Sequence, residues 1–294
     1  GIQFGANPAE LESIEAIDAG MRRLLSEFPA EFGGGVTIAM APSAVWMCSP
    51  ELLEWAADFS REHGLMVTSH IAETEYDNEC SREVHGCSDF EACEKYGLIQ
   101  KRMLMVHCVQ LTEGEIRRAA EYGAGFSYNP VSNMYLASGA APIQTIRQYG
   151  LPGSFGTDGA ASNNSNDMLE TIKAGILQAK TCYRDPMVFT AMDALEYATI
   201  SGARVLGLED ETGSIEAGKK ADLFIFNPEA SAKSTPCHDP VAGLVYASDS
   251  RNIETVFTGG RPVLRNNTVT GLHERTAIRA AGRAARRLAK RMAD

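Results

Sequence analysis

The sequence predicts an α/β fold built on a parallel sheet, and two observations lead to it. From residue 35 to 160, short apolar segments alternate with segments whose apolar residues recur at helical spacing. The short segments are apolar on both faces, as expected of parallel strands that helices cover on both sides.

Five segments are predicted to be strands because they are short, apolar and rich in small or β-branched residues. They are Gly35–Pro42, Leu65–His70, Met103–His107, Ala124–Tyr128 and Pro152–Thr157. An open doubly wound sheet and a (β/α)8 barrel both fit this alternation. Because a closed barrel needs eight strands, five indicate an open sheet or a barrel from which about three strands are missing.

Helices are predicted between and after these strands from apolar spacing and capping signals. They cover Pro50–His63, Glu83–Tyr96, Thr112–Tyr122, Pro142–Tyr149, 166–181 and 188–205. Ser49 before Pro50, and Thr112, are residue types that commonly cap the N-terminus of a helix.

After residue 210 the pattern changes to a small β unit. A turn at Gly213–Gly218 precedes a predicted strand at Lys219–Phe226. A predicted hairpin joins Glu254–Thr258 to Pro262–Leu264 through a Gly-Gly turn. The predicted organisation is therefore residues 1–210 as the α/β part, 211–272 as the β unit and 273–294 as a tail.

The tail, 273–294, is rich in Ala and Arg and carries seven Lys or Arg against two acidic residues. Ala and Arg favour helix, so the tail is predicted to be a basic C-terminal helix. We interpret it as a solvated helix lying against the acidic body rather than as an arm for RNA or a membrane.

Composition excludes several classes of function. The chain has 294 residues, a net charge of −11, and 44% hydrophobic and 22% charged residues, which is typical of a soluble globular protein. The acidic balance argues against nucleic-acid and anionic-membrane partners. We expect no membrane span, because no apolar segment is long enough, and the given sequence predicts no signal peptide. Seven cysteines without a CxxC pair indicate reduced thiols, so we expect a cytoplasmic protein.

Because the chain opens with Gly1 and not Met, we expect a processed product or a fragment.

Three polar residues stand at the carboxyl ends of predicted strands. His70 and His107 each end a strand, and Asp158 follows the last one. Because reactive groups gather at the carboxyl ends of parallel strands, we expect these side chains to lie close together at the same end of the sheet. Imidazole and carboxylate are suitable ligands for Zn²⁺ or Fe²⁺, and such an ion lowers the pKa of bound water towards about 7.

Glu73 follows His70 by three residues and is placed to move a proton between water and substrate. Two other histidines, His63 and His85, fall on predicted helices and are expected at the surface.

Five motifs occur in an order that resembles a known family. They are HIAE (70–73), VHCV (106–109), NPVSNMYLASGAAPI (129–143), GTDGAASNN (156–164) and GSIEAGKKADL (213–223). Together they resemble the amidohydrolase superfamily. More narrowly they are similar to its ATZ/TRZ-type deaminase branch, which acts on adenosine derivatives, guanine, 8-oxoguanine and triazines. The resemblance extends from about residue 30 to 270.

The resemblance implies a TIM-type (β/α)8 barrel, here incomplete with strands 4–8 present, plus part of a small β-sandwich. It implies that His70 and Asp158 are metal ligands on the fifth and eighth barrel strands. Glu73 then matches the proton-shuttling carboxylate, and His107 matches the residue that polarises the attacking water or the substrate. Asp158 is also expected to act in catalysis, because it holds the hydroxide together with His107 and helps the amine to leave. Ser132 and Asn133 match a loop that lines the substrate pocket.

Three departures from the family pattern shape the expectations. The HxH ligand pair of the first barrel strand is absent from the sequence, which favours a C-terminal fragment of a longer chain. The first lysine is Lys95, so the fourth barrel strand cannot supply a bridging carboxylated lysine, and a single divalent ion is expected. Ser43 and Gly35 stand where many relatives have a His and an Arg suited to an acidic substrate tail, which argues against S-adenosylhomocysteine.

The resulting hypothesis is a metal-dependent hydrolytic deaminase of an aromatic N-heterocycle of purine, pterin or triazine type. Zinc is preferred over iron, the partner is a small heterocyclic amine, and a homo-oligomer is compatible with the sequence. Glu73 favours deamination, because an amine needs protonation in order to leave and chloride does not. The alternatives are a triazine or cyclic-amide amidohydrolase with another leaving group, and a non-catalytic barrel relative.

Overall fold

The computed structural model describes residues 12–28, 36–101 and 103–293, and the chain divides into two compact units, Gly1–Gly213 and Ser214–Asp294. The first unit contains a sheet of five strands in chain order: β1 (Ala39–Met40), β2 (Met66–Ile71), β3 (Met103–His107), β4 (Gly125–Tyr128) and β5 (Gly153–Phe155). Every neighbouring pair is parallel, so the predicted α/β class with a parallel sheet is confirmed. The strand predicted at Gly35–Pro42 is much shorter, and Gly35 lies outside the described residues.

Helices connect these strands and cover the sheet. They are α1 (Ile14–Glu27), α2 (Pro50–His63), α3 (Glu75–His85), α4 (Asp89–Lys95), α5 (Glu113–Tyr122), α6 (Pro130–Tyr135), α7 (Ile143–Gln148), α8 (Ala160–Asn163), α9 (Met168–Tyr183), α10 (Ala191–Tyr197) and α11 (Ile200–Leu206). Helix α2 has the predicted bounds because the Ser49 side chain accepts a hydrogen bond from the Leu52 N–H and Gly64 ends it in the left-handed conformation.

The core beneath the site is aromatic. All four residues of β4 are buried, which is expected of a parallel strand covered on both faces. Tyr128 of β4 lies with its ring centroid 5.7 Å from that of Phe155 on β5. The ring centroid of Phe155 in turn lies 5.9 Å from that of Phe189, in the loop before α10, and 6.1 Å from that of Tyr197 on α10. These contacts fix the ends of β4 and β5 relative to each other.

The prediction of one helix over Glu83–Tyr96 is wrong. Helix α3 ends at His85 because Gly86 adopts φ 80°, and α4 begins at Asp89 behind a capping box formed by Ser88 and Glu91. The region predicted as one helix at 188–205 is likewise two helices, with Thr190 capping α10 and Thr199 in a non-helical conformation before α11.

His85 was expected at the surface, but it is buried with 5% of its area exposed. Its Nε2 lies 3.0 Å from the Val45 carbonyl oxygen and its Nδ1 lies 3.3 Å from the Tyr96 hydroxyl. Burial lowers the pKa of His85, which keeps the ring neutral. His63 is exposed as expected.

The second unit contains an antiparallel sheet in the order β6 (Leu223–Phe226), β7 (Ile253–Thr258), β8 (Arg261–Arg265) and β9 (Thr268–Val269). The predicted hairpin is confirmed, with Gly259 and Gly260 at φ 54° and 76° between β7 and β8. Such positive φ values are those of a type I′ turn. The strand predicted from Lys219 begins only at Leu223, and a helix that was not predicted, α12 (Pro240–Ala247), precedes β7.

The basic tail forms helix α13 (Glu274–Ala293), as predicted. Its large apolar side chains, Ile278, Leu288 and Met292, are 62%, 59% and 80% exposed. Among the described residues, the structure contains no helix that combines the length and apolar character needed to span a bilayer.

Candidate metal centre and catalytic site

The carboxyl ends of β2, β3 and β5 bring the three predicted strand-end residues together. His70 pairs in register with Val106 near the end of β2, His107 is the last residue of β3, and Asp158 follows β5 by three residues. One ligand atom from each of His70, His107 and Asp158 lies within 4.8 Å of the other two. The two imidazole rings are stacked with their centroids 5.2 Å apart.

Hydrogen bonds assign the tautomer of both histidines. The Nδ1 of His70 contacts the Ser43 carbonyl oxygen, and the Nδ1 of His107 lies 2.8 Å from the Asn133 Oδ1. Both partners are acceptors, so each Nδ1 carries the proton and each Nε2 keeps its lone pair. A histidine that binds a metal commonly donates its other N–H to such an oxygen.

Asp158 is surrounded by donors. Its Oδ2 accepts hydrogen bonds from the Ser132 and Ser162 hydroxyls at 2.6 and 3.0 Å, and its Oδ1 accepts from the Gly159 N–H at 2.7 Å. Burial raises the pKa of this carboxyl, but hydrogen bonds from Ser132, Gly159 and Ser162 outweigh burial and hold the pKa below its ordinary value. The side chain is therefore an anionic oxygen donor at neutral pH.

Glu73 lies beside this group with 19% of its side chain exposed. Its Oε1 accepts a hydrogen bond from the Ser138 hydroxyl at 2.8 Å, and its Oε2 lies 3.5 Å from the Nε2 of His107. In the assigned tautomer both Oε2 and Nε2 are acceptors, so a water molecule or a cation could be held by both. The carboxylate thus faces the same space as the three possible ligands.

The backbone is strained at several residues that carry these side chains or lie next to them. Ala72, His107, Cys108 and Asp158 have φ values of 48°, 71°, 54° and 59°. Non-glycine residues in this left-handed region each cost about 1–3 kcal/mol, and such strain clusters at active and binding sites.

Ser132 and Asn133, which the sequence associates with the pocket, lie on α6 and are both 0% exposed. The Ser132 hydroxyl donates to Asp158 and the Asn133 Oδ1 accepts from His107. The Nδ2 of Asn133 is buried without a hydrogen-bond partner among the described residues, so it retains a donor for an additional group.

Sequence reasoning missed Ser138 and Ser162, which donate to Glu73 and Asp158. Ser162 could have been found from its place in the GTDGAAS motif. Ser138 lies in the motif at 129–143, but its contact with Glu73 could not be inferred, because the two residues are 65 positions apart and meet only in the folded chain.

The donor set fits a divalent metal ion. Two imidazole nitrogens and one carboxylate are oriented by neighbouring oxygens and hydroxyls, and the same kinds of donor are used by zinc and by non-haem iron. The chemistry of these donors does not separate zinc from iron.

Solved structures with a similar fold were found. An adenosine deaminase from Xanthomonas campestris with bound zinc has a TM-score of 0.90 and 29% identity, over 95% of this chain and 63% of its own. Atrazine chlorohydrolase TrzN from Arthrobacter aurescens TC1, complexed with zinc, has a TM-score of 0.87 over 92% of this chain and 60% of its own. At 24% identity, the second comparison shows likeness of fold alone.

Curated relatives share more of the sequence. A 5-methylthioadenosine/S-adenosylhomocysteine deaminase of Desulforudis audaxviator is 38% identical over 255 residues, which are 87% of this chain and 59% of the relative. A 5′-deoxyadenosine deaminase of Methanothermobacter thermautotrophicus is 37% identical over 268 residues, 91% of this chain and 62% of the relative. The chain therefore spans about three fifths of the length of these relatives. A sequence model of the amidohydrolase family matches residues 5–263, and the chain belongs to that family.

Proposed function

We propose that the protein is a metal-dependent hydrolase that removes the amino group of an adenosine-type purine and releases ammonia. One observation carries the proposal: the ligand atoms of His70, His107 and Asp158 lie within 4.8 Å of one another, and the Glu73 carboxylate lies 3.5 Å from His107. The names of the relatives, which are deaminases of adenosine derivatives, support the class of substrate.

One divalent ion, with zinc preferred, fits the Nε2 of His70 and the carboxylate of Asp158, and His107 lies close enough to face the same ion. When bound, such an ion makes a water molecule nucleophilic near neutral pH. In this proposal the five parallel strands correspond to strands 4–8 of a TIM-type barrel, and the ligand pair on the first barrel strand is not part of this sequence. The zinc-bound neighbour supports zinc as the ion.

The protein's own residues move the protons. Glu73 accepts a proton from the attacking water and delivers it to the ring nitrogen beside the amino-bearing carbon. His107, held by Asn133, turns its Nε2 to the same space and orients the water. The water oxygen bonds to the ring carbon. Glu73 then takes the remaining proton from that oxygen and passes it to the amino group, the carbon–nitrogen bond breaks, ammonia leaves, and the oxygen stays on the ring as a carbonyl.

The side chain of Ser43 affects which adenosine derivatives are expected to be good substrates. Its carbonyl oxygen accepts from His70, and its short neutral side chain is exposed beside the site. A serine cannot pair with the carboxylate of an amino-acid tail as a cationic side chain would. We therefore propose that adenosines with a neutral 5′ group are better substrates than S-adenosylhomocysteine.

The proposal is tested by measuring ammonia release from the full-length protein with a panel of substrates. The panel contains 5′-deoxyadenosine, 5-methylthioadenosine, S-adenosylhomocysteine, guanine, a pterin and an aminotriazine. We expect the highest kcat/KM with 5′-deoxyadenosine or 5-methylthioadenosine. Higher kcat/KM with S-adenosylhomocysteine would contradict the role given to Ser43, and release from the triazine alone would overturn the substrate class.

A further inference from the structure

One short segment, residues 132–138, forms hydrogen bonds with three side chains of the site: Asp158, His107 and Glu73. The Ser132 hydroxyl donates to Asp158 at 2.6 Å, and the Asn133 Oδ1 accepts from His107 at 2.8 Å. At the other end of the segment, the Ser138 hydroxyl donates to the Oε1 of Glu73 at 2.8 Å. The first two contacts hold possible metal ligands, whereas the third holds the carboxylate that moves protons.

The backbone around Ser138 is tightly fixed. Its N–H donates to the Asn133 carbonyl oxygen at 2.8 Å, and Ala137 before it has φ 58°. Gly139 after it has φ 121°, and a Cβ at that position would lie 2.9 Å from the Val109 side chain. The Gly139 carbonyl oxygen accepts from the Gln178 amide at 3.1 Å. Ser138 itself is 8% exposed, so its hydroxyl is presented to Glu73 by a segment with little freedom to move.

Glu73 needs such a partner because its side chain is long and rotatable. A glutamate that is ordered on folding gives up about 1.5–2 kcal/mol of side-chain conformational entropy. The Ser138 hydroxyl engages Oε1, which leaves Oε2 directed at the Nε2 of His107. One oxygen therefore anchors the side chain while the other stays available for the proton.

We infer that Ser138 is a positioning residue, which holds the Glu73 carboxylate in the orientation needed for proton transfer. The inference rests on the proposed function and adds to it a residue that touches neither metal nor substrate. It also separates the segment into two roles: Ser132 and Asn133 hold Asp158 and His107, and Ser138 holds the proton carrier.

The kinetic test uses Ser138→Ala in the full-length protein. We expect kcat to fall about tenfold or more, because a hydrogen bond to a charged group is lost. We expect KM, zinc content and melting temperature to stay unchanged, because Ser138 contacts neither the metal ligands nor the substrate. Ser138→Thr keeps the hydroxyl and should recover most of kcat. Ser154→Ala is the matched control, because Ser154 donates to the Phe126 carbonyl oxygen within the sheet, at 3.2 Å.

A structural test does not depend on activity. Crystal structures of the wild type and of Ser138→Ala should show one Glu73 conformer in the first and several in the second. If the wild type releases no ammonia, the proposed function fails, and the Glu73 conformers alone then decide the inference. Unchanged kcat in Ser138→Ala of an active protein, or an unmoved Glu73 carboxylate, would overturn the role of Ser138.

Discussion

Asp89 is a buried carboxyl that contacts the backbone of Ala72, one residue before Glu73. It is 1% exposed, its Oδ2 accepts from the Ala72 N–H at 3.0 Å, and its Oδ1 lacks a hydrogen-bond partner in the described part of the chain. Burial raises the pKa of Asp89 to about 7, the Ala72 N–H opposes this rise, and the charge of Asp77 adds to it. This carboxyl supports the left-handed Ala72 between His70 and Glu73.

The raised pKa of Asp89 predicts a pH-dependent stability. Between its ordinary value of 3.8 and about 7, the folded state holds a proton that the unfolded state has released. The free energy of unfolding should therefore decrease as pH rises through this window and become flat above it. Asp89→Asn removes this pH dependence. When the pH is raised from 5 to 7.5, the difference in free energy of unfolding between variant and wild type should therefore shift by roughly 2 kcal/mol in favour of the variant. Urea unfolding of both proteins at the two pH values measures this, and an equal difference at both values would contradict it.

Glu73→Gln tests the proton carrier in the full-length protein. The amide keeps an oxygen for the Ser138 hydroxyl but cannot take up a proton. Turnover should fall by about 10²–10⁴, the usual contribution of a general acid/base, while zinc content stays at the wild-type level. Unchanged turnover would remove Glu73 from the mechanism.

At the scale of elements, the loop after β5 sets the position of Asp158. A Cβ on Gly156 would lie 2.4 Å from the Asn129 Oδ1 and 2.7 Å from the Ser127 hydroxyl. These two side chains hydrogen-bond to each other at 2.8 Å at the end of β4. Only a glycine allows the backbone beyond β5 to approach so closely.

Gly156→Ala should therefore disturb the site, and Gly159→Ala is its matched control in the same loop. The first adds a methyl group where there is no room and should cost about 1–3 kcal/mol of stability, with weaker zinc binding. At Gly159 the nearest atom to a Cβ would be the Ser162 hydroxyl at 3.8 Å, and φ is −68°, so little should change. Chemical denaturation and zinc titration measure both effects, and equal behaviour of the two variants would exclude the steric explanation.

The sequence predicts the elements well where the signal is local. Strand-end residues such as His70, His107 and Asp158 were predicted because parallel strands place their carboxyl ends together. The break between α3 and α4 was missed, although Gly86 and Ser88 are ordinary stop and start signals. The burial of His85 and the reach of Ser138 to Glu73 could not be predicted, because both depend on segments distant in sequence.

At the scale of the whole molecule, the described part of the parallel sheet has two unpaired edge strands. Within the described residues, β1 pairs only with β2, and β5 pairs only with β4. Parallel sheets are found with both faces covered, and unpaired edge strands invite association with other chains.

The chain of residues 1–294 expressed alone should therefore associate with itself. It should also lack deaminase activity, because its sequence does not contain the HxH ligand pair. Light scattering after size-exclusion chromatography at micromolar concentration, together with an ammonia assay, measures this. A monomer with stoichiometric zinc and ammonia release would show that the described strands and ligands are sufficient by themselves.

We propose that residues at the ends of β2, β3 and β5 form a metal centre, and zinc retention is the direct test of this proposal. In the full-length protein, zinc per chain is determined after extensive dialysis for the wild type and four variants. We expect about one zinc for the wild type and for Glu73→Gln. We expect severe loss of zinc for His70→Ala and Asp158→Ala and a smaller loss for His107→Ala. Retention of zinc in both His70→Ala and Asp158→Ala would contradict it.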